Sequence, residues 1–143
     1  MTVLVYSDAS YDHERDIAAC GYIIKTRGKT IIQQTVYIVH GLKNISNAER
    51  WALTKGLQDT FMMRAVTRIR AYTDSLQIIT TVKRKKDHDE YYDTLEMIKD
   101  DGISIVVNHV RAHANNKMNN KIDISCRAEL RKYLKKHYAN RAA

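Results

Sequence analysis

Three β-prone segments follow one another at the start of the chain, and two more are separated from them by stretches with helical patterning. They are Val3–Tyr6, Ala18–Thr26, Thr30–Val39, Arg68–Thr73 and Ile103–Val110. Arg27-Gly28-Lys29, between the second and third segments, is typical of a hairpin. Short connections allow antiparallel pairing, whereas a helical crossover gives parallel neighbours. We therefore predict an α/β fold: a five-stranded mixed sheet, three antiparallel strands and then parallel strands, flanked by helices.

Four helices are predicted around this sheet. The first starts with the capping-box pattern Ser46-Asn47-Ala48-Glu49, and Ala48, Ala52 and Gly56 form a small-residue stripe suited to close packing. A short helix is expected at Ser75–Val82, and another carries Tyr91, Leu95 and Ile98 on one side. The last follows a polar loop, Ala112–Asn119, so that Asp123 begins it, and its apolar stripe is Ile122, Cys126, Leu130, Tyr133 and Leu134.

Composition indicates one globular domain, residues 1–143, which we expect to be a monomer. The chain has no proline, and 44% of its residues are apolar and 28% charged. Lysine and arginine total 24 and aspartate and glutamate 16, which gives a net charge of +8. Such an excess favours a polyanionic partner such as nucleic acid, because phosphate neutralisation releases counterions.

Two cysteines and the lack of long apolar runs bear on the compartment. Cys20 and Cys126 stand in apolar surroundings, which indicates reduced core residues rather than a disulfide framework. No apolar run approaches the roughly 20 residues needed to span a bilayer, and the opening residues lack a basic signal-peptide region. We expect a cytoplasmic protein with no membrane partner.

Four carboxylates are predicted to meet at one edge of the sheet. Asp8 and Asp74 are each expected directly after a strand, Glu49 in the first turn of a crossover helix, and Asp123 at the start of the last helix. Carboxylates gathered at one point repel one another unless cations lie between them, and hard oxygen ligands suit Mg²⁺ or Mn²⁺.

Each of these carboxylates, taken singly, also fits an ordinary structural role. A turn residue, a helix cap or a first-turn acid would account for any one of them without a metal. A zinc site drawn from His109, His113 and Cys126 is the weaker metal alternative, because no fourth ligand is evident. The metal hypothesis therefore depends on the joint arrangement of the four carboxylates.

Four short motifs, in order, resemble those of ribonuclease H type 1, of the RNase H-like superfamily. They are Ser7-Asp8-Ala9-Ser10, Asn47-Ala48-Glu49, Tyr72-Thr73-Asp74-Ser75 and Val110-Arg111-Ala112-His113-Ala114, with Asp123 ten residues beyond His113. The resemblance extends over nearly the whole chain, from about Val3 to Leu134.

The resemblance implies an endoribonuclease that cuts the RNA strand of an RNA/DNA hybrid, leaving 5′-phosphate and 3′-hydroxyl ends. In that family pattern two Mg²⁺ ions, with Mn²⁺ able to substitute, would be held by Asp8, Glu49, Asp74 and Asp123, and His113 would assist with water or product release. It further implies substrate contacts at Ser10, Asn44, Ser46, Asn47, Lys85 and Asn119.

Three departures from the family pattern leave alternatives open. Tyr11–Asp16 stands in place of a glycine-rich stretch, Lys83–Lys86 in place of a long basic handle, and Arg111 in place of a glycine. A catalytically weak or inactive nucleic-acid-binding module of the same fold is the main alternative. Another nuclease of the superfamily, such as a junction resolvase or an integrase core, is the third.

Overall fold

The computed structural model describes residues 1–28, 30–75, 77–78, 89–110 and 117–138. Within these residues the strands are β1 (Thr2–Asp12), β2 (Ile17–Thr26), β3 (Ile31–His40), β4 (Arg68–Thr73) and β5 (Ser104–His109). The longer helices are α1 (Ile45–Phe61), α2 (Glu90–Asp100) and α3 (Lys117–Tyr138). The sheet order is β3-β2-β1-β4-β5, with the first three strands antiparallel and β1, β4 and β5 parallel. The predicted fold class is confirmed.

The first strand is longer than its sequence indicates. The β-prone run ends at Tyr6, but the strand continues to Asp12 because its hydrogen-bonded register with β2 runs from Val3 opposite Thr26 to Asp12 opposite Ile17. Asp8 and Ser10 therefore lie inside β1, and the expectation that Asp8 directly follows a strand is wrong. The ladder with β2 outweighs the low strand propensity of these polar residues.

The start of α1 also differs from its prediction. Asn44, not Ser46, is the N-cap, and its side-chain Oδ1 accepts a hydrogen bond from the backbone N–H of Asn47 at 2.8 Å. Asparagine and serine cap helices about equally well. The capping-box pattern therefore predicted the wrong one of these two residues. Glu49 is then the fifth helical residue, which lies beyond the predicted first turn.

The last helix begins at Lys117, so residues 117–119, predicted as loop, are helical. Asp123 is consequently its seventh residue and does not begin it. Of the helix predicted at 75–82, residues 77 and 78 are helical, and residues 76 and 79–82 lie outside the described residues.

Helices cover both faces of the sheet. On one face, Leu53 and Leu57 of α1 and Tyr91, Leu95 and Ile98 of α2 share a buried cluster with β1 and β4. On the other face, Ile122, Cys126 and Leu130 of α3 pack against β1 and β2, and Tyr133 and Leu134 pack at the margin. The apolar stripes predicted for these helices are confirmed.

Two glycines allow the helices to approach the sheet closely. A Cβ at Gly56 would lie 3.1 Å from atoms of Tyr22 and Val5, so α1 rests directly on β1 and β2. A Cβ at Gly21 would lie 2.8 Å from both Cys126 Sγ and Ile122 Cδ1, so α3 rests on β2. Gly21 is paired with Asp8, which brings α3 beside that carboxylate.

Cys20 and Cys126 are buried free thiols, as predicted, and burial raises the pKa of both. None of the described helices is long and apolar enough to cross a membrane.

Candidate active site

Two neighbouring parallel strands deliver the first two carboxylates. β1 and β4 are paired as far as Tyr6 and Tyr72, whose rings stack with centroids 4.8 Å apart. Asp8 lies two residues farther on within β1, and Asp74 lies two residues beyond Tyr72, directly after the end of β4. The register of one strand pair thus brings both carboxylates to the same edge of the sheet.

Glu49 completes a compact group with these two residues. One carboxylate oxygen from each of Asp8, Glu49 and Asp74 lies within 4.8 Å of the others. Asp8 is only 5% exposed, and its Oδ1 accepts a hydrogen bond of 2.8 Å from the backbone N–H of Ala9. Glu49 is hydrogen-bonded to Ser75 and to Asp74. The convergence of these three predicted residues is therefore present in the structure.

The electrostatics of the group are unfavourable when no cation is present. Burial, and to a smaller extent the charge of Asp74, raises the pKa of Asp8 to about 8. The 2.8 Å hydrogen bond from the Ala9 N–H acts in the opposite direction and lowers this pKa. Burial and the charge of Asp74 likewise raise the pKa of Glu49 to about 7, although the bond with Ser75 opposes the rise. Near neutral pH the site therefore favours either bound protons or a bound cation.

The donor set decides which cation suits the site. It consists of carboxylate oxygens, which are hard ligands preferred by Mg²⁺ and Mn²⁺. Cys126 is close by, but its buried thiol donates to the backbone carbonyl of Asp8 at 3.5 Å. His109 is exposed on β5, and His113 lies outside the described residues. The geometry fits the magnesium prediction better than the zinc alternative.

Asp123 stands beside this group rather than within it. Its charge contributes to the raised pKa of Asp8, yet its Oδ2 is ion-paired with the Arg127 guanidinium, one turn along α3, at 2.9 Å. The structure therefore brings three of the four predicted carboxylates into direct proximity and holds the fourth on a helix packed against Asp8.

The predicted substrate residues have different positions. Ser10 is paired with Ala19 near the C-terminal end of β1. At the start of α1, Asn44 and Asn47 are exposed and Ser46 is half-buried. Asn119 is buried in the first turn of α3. Lys85 and His113 lie outside the described residues, so their roles stay predictions.

Two residues that the sequence patterns did not single out contact the site. Ser75 bonds Glu49, and Arg127 pairs with Asp123. Ser75 directly follows Asp74 within one of the four family motifs, and the four-residue spacing from Asp123 to Arg127 is the usual spacing of a helical ion pair. Both signals are present in the sequence.

Comparison with known proteins identifies a family and a fold for this chain. A family model described as reverse transcriptase-like matches residues 6–120, a range that contains Asp8, Glu49 and Asp74 but ends before Asp123. Among solved structures, the chain is similar to LC11-RNase H1 crystallised in complex with an RNA/DNA hybrid. The TM-score is 0.68 at 16% identity, over 90% of this chain and 99% of that chain. No curated protein matches the sequence significantly. The chain therefore belongs to the reverse transcriptase-like family and has an RNase H-like fold.

Proposed function

We propose that this protein is an endoribonuclease that hydrolyses the RNA strand of RNA/DNA hybrids by two-metal-ion catalysis, giving 5′-phosphate and 3′-hydroxyl ends. The observation that carries the proposal is the cluster of Asp8, Glu49 and Asp74, with oxygens within 4.8 Å of one another. The RNase H-like fold and the net charge of +8 support a nucleic-acid substrate.

The metal ions would be held by Asp8, Glu49 and Asp74, with Asp123 as the fourth ligand. When bound, Mg²⁺ or Mn²⁺ supplies an activated water and charge stabilisation for phosphoryl displacement. The backbone N–H of Ala9 fixes one oxygen of Asp8 and leaves the other available for a ligand. Ser75 orients Glu49 toward Asp74 in the same way.

Selection of RNA requires contacts that recognise the ribose 2′-hydroxyl. We propose that Asn44, Ser46 and Asn47, at the start of α1, provide such contacts, because Glu49 lies on the same helix within two turns. Helix N-termini also favour phosphate through their unpaired N–H groups. Ser10, Lys85 and Asn119 are proposed as further contacts, and His113 as an aid to water handling or product release.

The test is cleavage of an end-labelled RNA/DNA hybrid beside RNA/RNA, DNA/DNA and four-way DNA junction substrates. Each would be incubated with Mg²⁺, with Mn²⁺ and with chelator, and the product ends would be mapped by phosphatase and kinase treatment. We expect metal-dependent cutting of the RNA in the hybrid only, with 5′-phosphate products. Binding without turnover in either metal would establish the binding-module alternative, and preferred cutting of the junction would establish the resolvase alternative.

Single-domain organisation, a monomeric state and a cytoplasmic location also stay predictions. Light scattering of the purified chain tests the second of these directly.

A further inference from the structure

The charged residues on the outward face of α3 are all positive. The helix places its apolar residues against the sheet, and the exposed cations lie on the opposite side within an arc of about 100°. These cations, here called the α3 basic face, are Lys117, Lys121, Arg131, Lys132 and Lys135. The two acids of the helix, Asp123 and Glu129, fall outside this arc.

The charges of the α3 basic face are not neutralised within the described part of the chain. None of its five cations forms an ion pair there, whereas Arg127, at its margin, is paired with Asp123. Lys117 and Lys121 are four residues apart, as are Arg131 and Lys135, and like charges at that spacing destabilise a helix. Ordinary solvated faces mix both signs, so this face is suited to an external polyanion.

The face has the length and the position for an extended ligand. From Lys117 to Lys135 the helix rises about 27 Å, and a nucleic-acid duplex carries one charge for roughly every 1.7 Å of its axis. The helix also contacts the candidate active site, since Cys126 Sγ lies 3.5 Å from the carbonyl oxygen of Asp8. The α3 basic face therefore lies on the far side of the helix that packs beside Asp8.

We propose that the α3 basic face binds the phosphate backbone of a nucleic-acid duplex outside the region that is cut. The choice of nucleic acid as the ligand rests on the proposed function. Four of the five cations are lysines, which bind phosphates as point charges without reading sequence. The exposed face carries one large apolar side chain, Ile124, and no aromatic residue, which is a poor match to a membrane-binding helix.

The test compares two triple variants that each remove three positive charges. Arg131→Gln/Lys132→Gln/Lys135→Gln alters the face, and Arg27→Gln/Arg64→Gln/Arg68→Gln alters exposed cations at the opposite end of the sheet. Binding of a fluorescein-labelled RNA/DNA hybrid of about 20 base pairs, long enough to span the face, would be followed by anisotropy in chelator, which prevents cleavage, over a range of salt. Circular dichroism would check that both variants remain folded.

We expect the slope of log affinity against log salt to become shallower by about 2 to 3 in the α3 variant, since each lost phosphate contact is worth roughly 0.9. Its affinity at low salt should fall about tenfold or more, while the control variant changes the slope by less than about 1. Equal effects of the two variants, or no effect of the α3 variant, would overturn the proposal. So would tighter binding of the parent protein to phosphatidylserine vesicles than to the duplex.

The two proposals fail in distinguishable ways. A parent protein that binds the hybrid through the α3 basic face but never cuts it would refute the nuclease and leave the face supported. A parent protein that cuts the hybrid, with an α3 variant that binds as tightly as the control variant, would refute the face alone.

Discussion

Asp8, within β1, and Asp74, directly after β4, each lie two residues beyond the stacked pair of Tyr6 and Tyr72 on these neighbouring parallel strands. The two carboxylates therefore approach each other through backbone register, before any side chain adjusts. Glu49 joins them from α1, and together they form a partly buried acidic group whose repulsion is relieved by protons or by a cation.

The raised pKa of Asp8 predicts how metal-free stability depends on pH. Because the folded protein holds that proton up to about pH 8 and the unfolded chain releases it near pH 4, this group's contribution to stability is lost as pH rises between those values. Asp8→Asn should thus raise the melting temperature at pH 8 without metal by ~3 °C, about 1 kcal/mol. It should give little gain at pH 4. Thermal unfolding in chelator at the two pH values measures this.

A matched variant controls for surface charge in that experiment. Asp101→Asn removes an exposed carboxylate at the end of α2 and should leave the melting temperature nearly unchanged at both pH values. Adding Mg²⁺ should stabilise the parent more at pH 8 than at pH 5. A metal-free Asp8→Asn variant that is less stable than the parent at pH 8 would contradict the electrostatic account.

Gly21 sets the distance between α3 and the sheet. In Gly21→Ala the new Cβ would lie 2.8 Å from both Cys126 Sγ and Ile122 Cδ1, so α3 must shift. We expect a loss of about 1–3 kcal/mol in the free energy of unfolding, as in other overpacked cores, and slower hybrid cleavage because α3 carries Asp123. Urea unfolding measures the first and initial rates the second. Gly28→Ala, with nothing within 4 Å, should change both little; similar losses in the two variants would refute the packing role.

The N-cap assignment distinguishes two residues of the same segment. Asn44→Ala removes the side-chain acceptor of the Asn47 N–H and should lower the free energy of unfolding by about 0.5–2 kcal/mol. Ser46→Ala, inside the first turn, should cost less than about 0.5 kcal/mol, since alanine is a good helix former. Chemical denaturation of both variants tests this, and the reverse order would restore Ser46 as the cap.

In the proposed metal site, Arg127 would compete with the cation for Asp123, with which it forms an ion pair. Removing the guanidinium in Arg127→Ala should lower the Mg²⁺ concentration for half-maximal cleavage about twofold, because an exposed helical pair is worth only ~0.3–0.5 kcal/mol. Stability should hardly change. Lys136→Ala removes the same charge from an exposed position of α3 away from Asp123 and serves as the control. An unchanged or higher Mg²⁺ requirement in Arg127→Ala would show that Asp123 is not a ligand.

The sheet was predictable because its signals are local. β4 begins and ends where its β-branched and aromatic run indicates, and the hairpin between β2 and β3 follows from Arg27-Gly28-Lys29. The parallel pairing of β1 with β4 follows from the helix between them. The convergence of Asp8 with Asp74 could therefore be inferred from strand order alone.

The differences from prediction arise where tertiary contacts outweigh local pattern. β1 runs through Asp8 because β2 offers a partner as far as Ile17, a pairing that no local propensity reports. The start of α1 is displaced because Asn44 and Ser46 are nearly equal caps, and the local pattern does not choose between them. The start of α3 at Lys117 was not predicted, because the polar sequence before Asp123 does not mark where the helix begins.

The most direct test of the account is the initial rate of RNA cleavage in an RNA/DNA hybrid by the parent protein and by Asp74→Asn, each with Mg²⁺ and with chelator. Loss of one carboxylate of the cluster should reduce the Mg²⁺-dependent rate by about a hundredfold or more, while the free energy of unfolding changes by only ~1 kcal/mol. An Asp74→Asn protein that cuts the hybrid as fast as the parent would contradict the assignment of the catalytic site to this group.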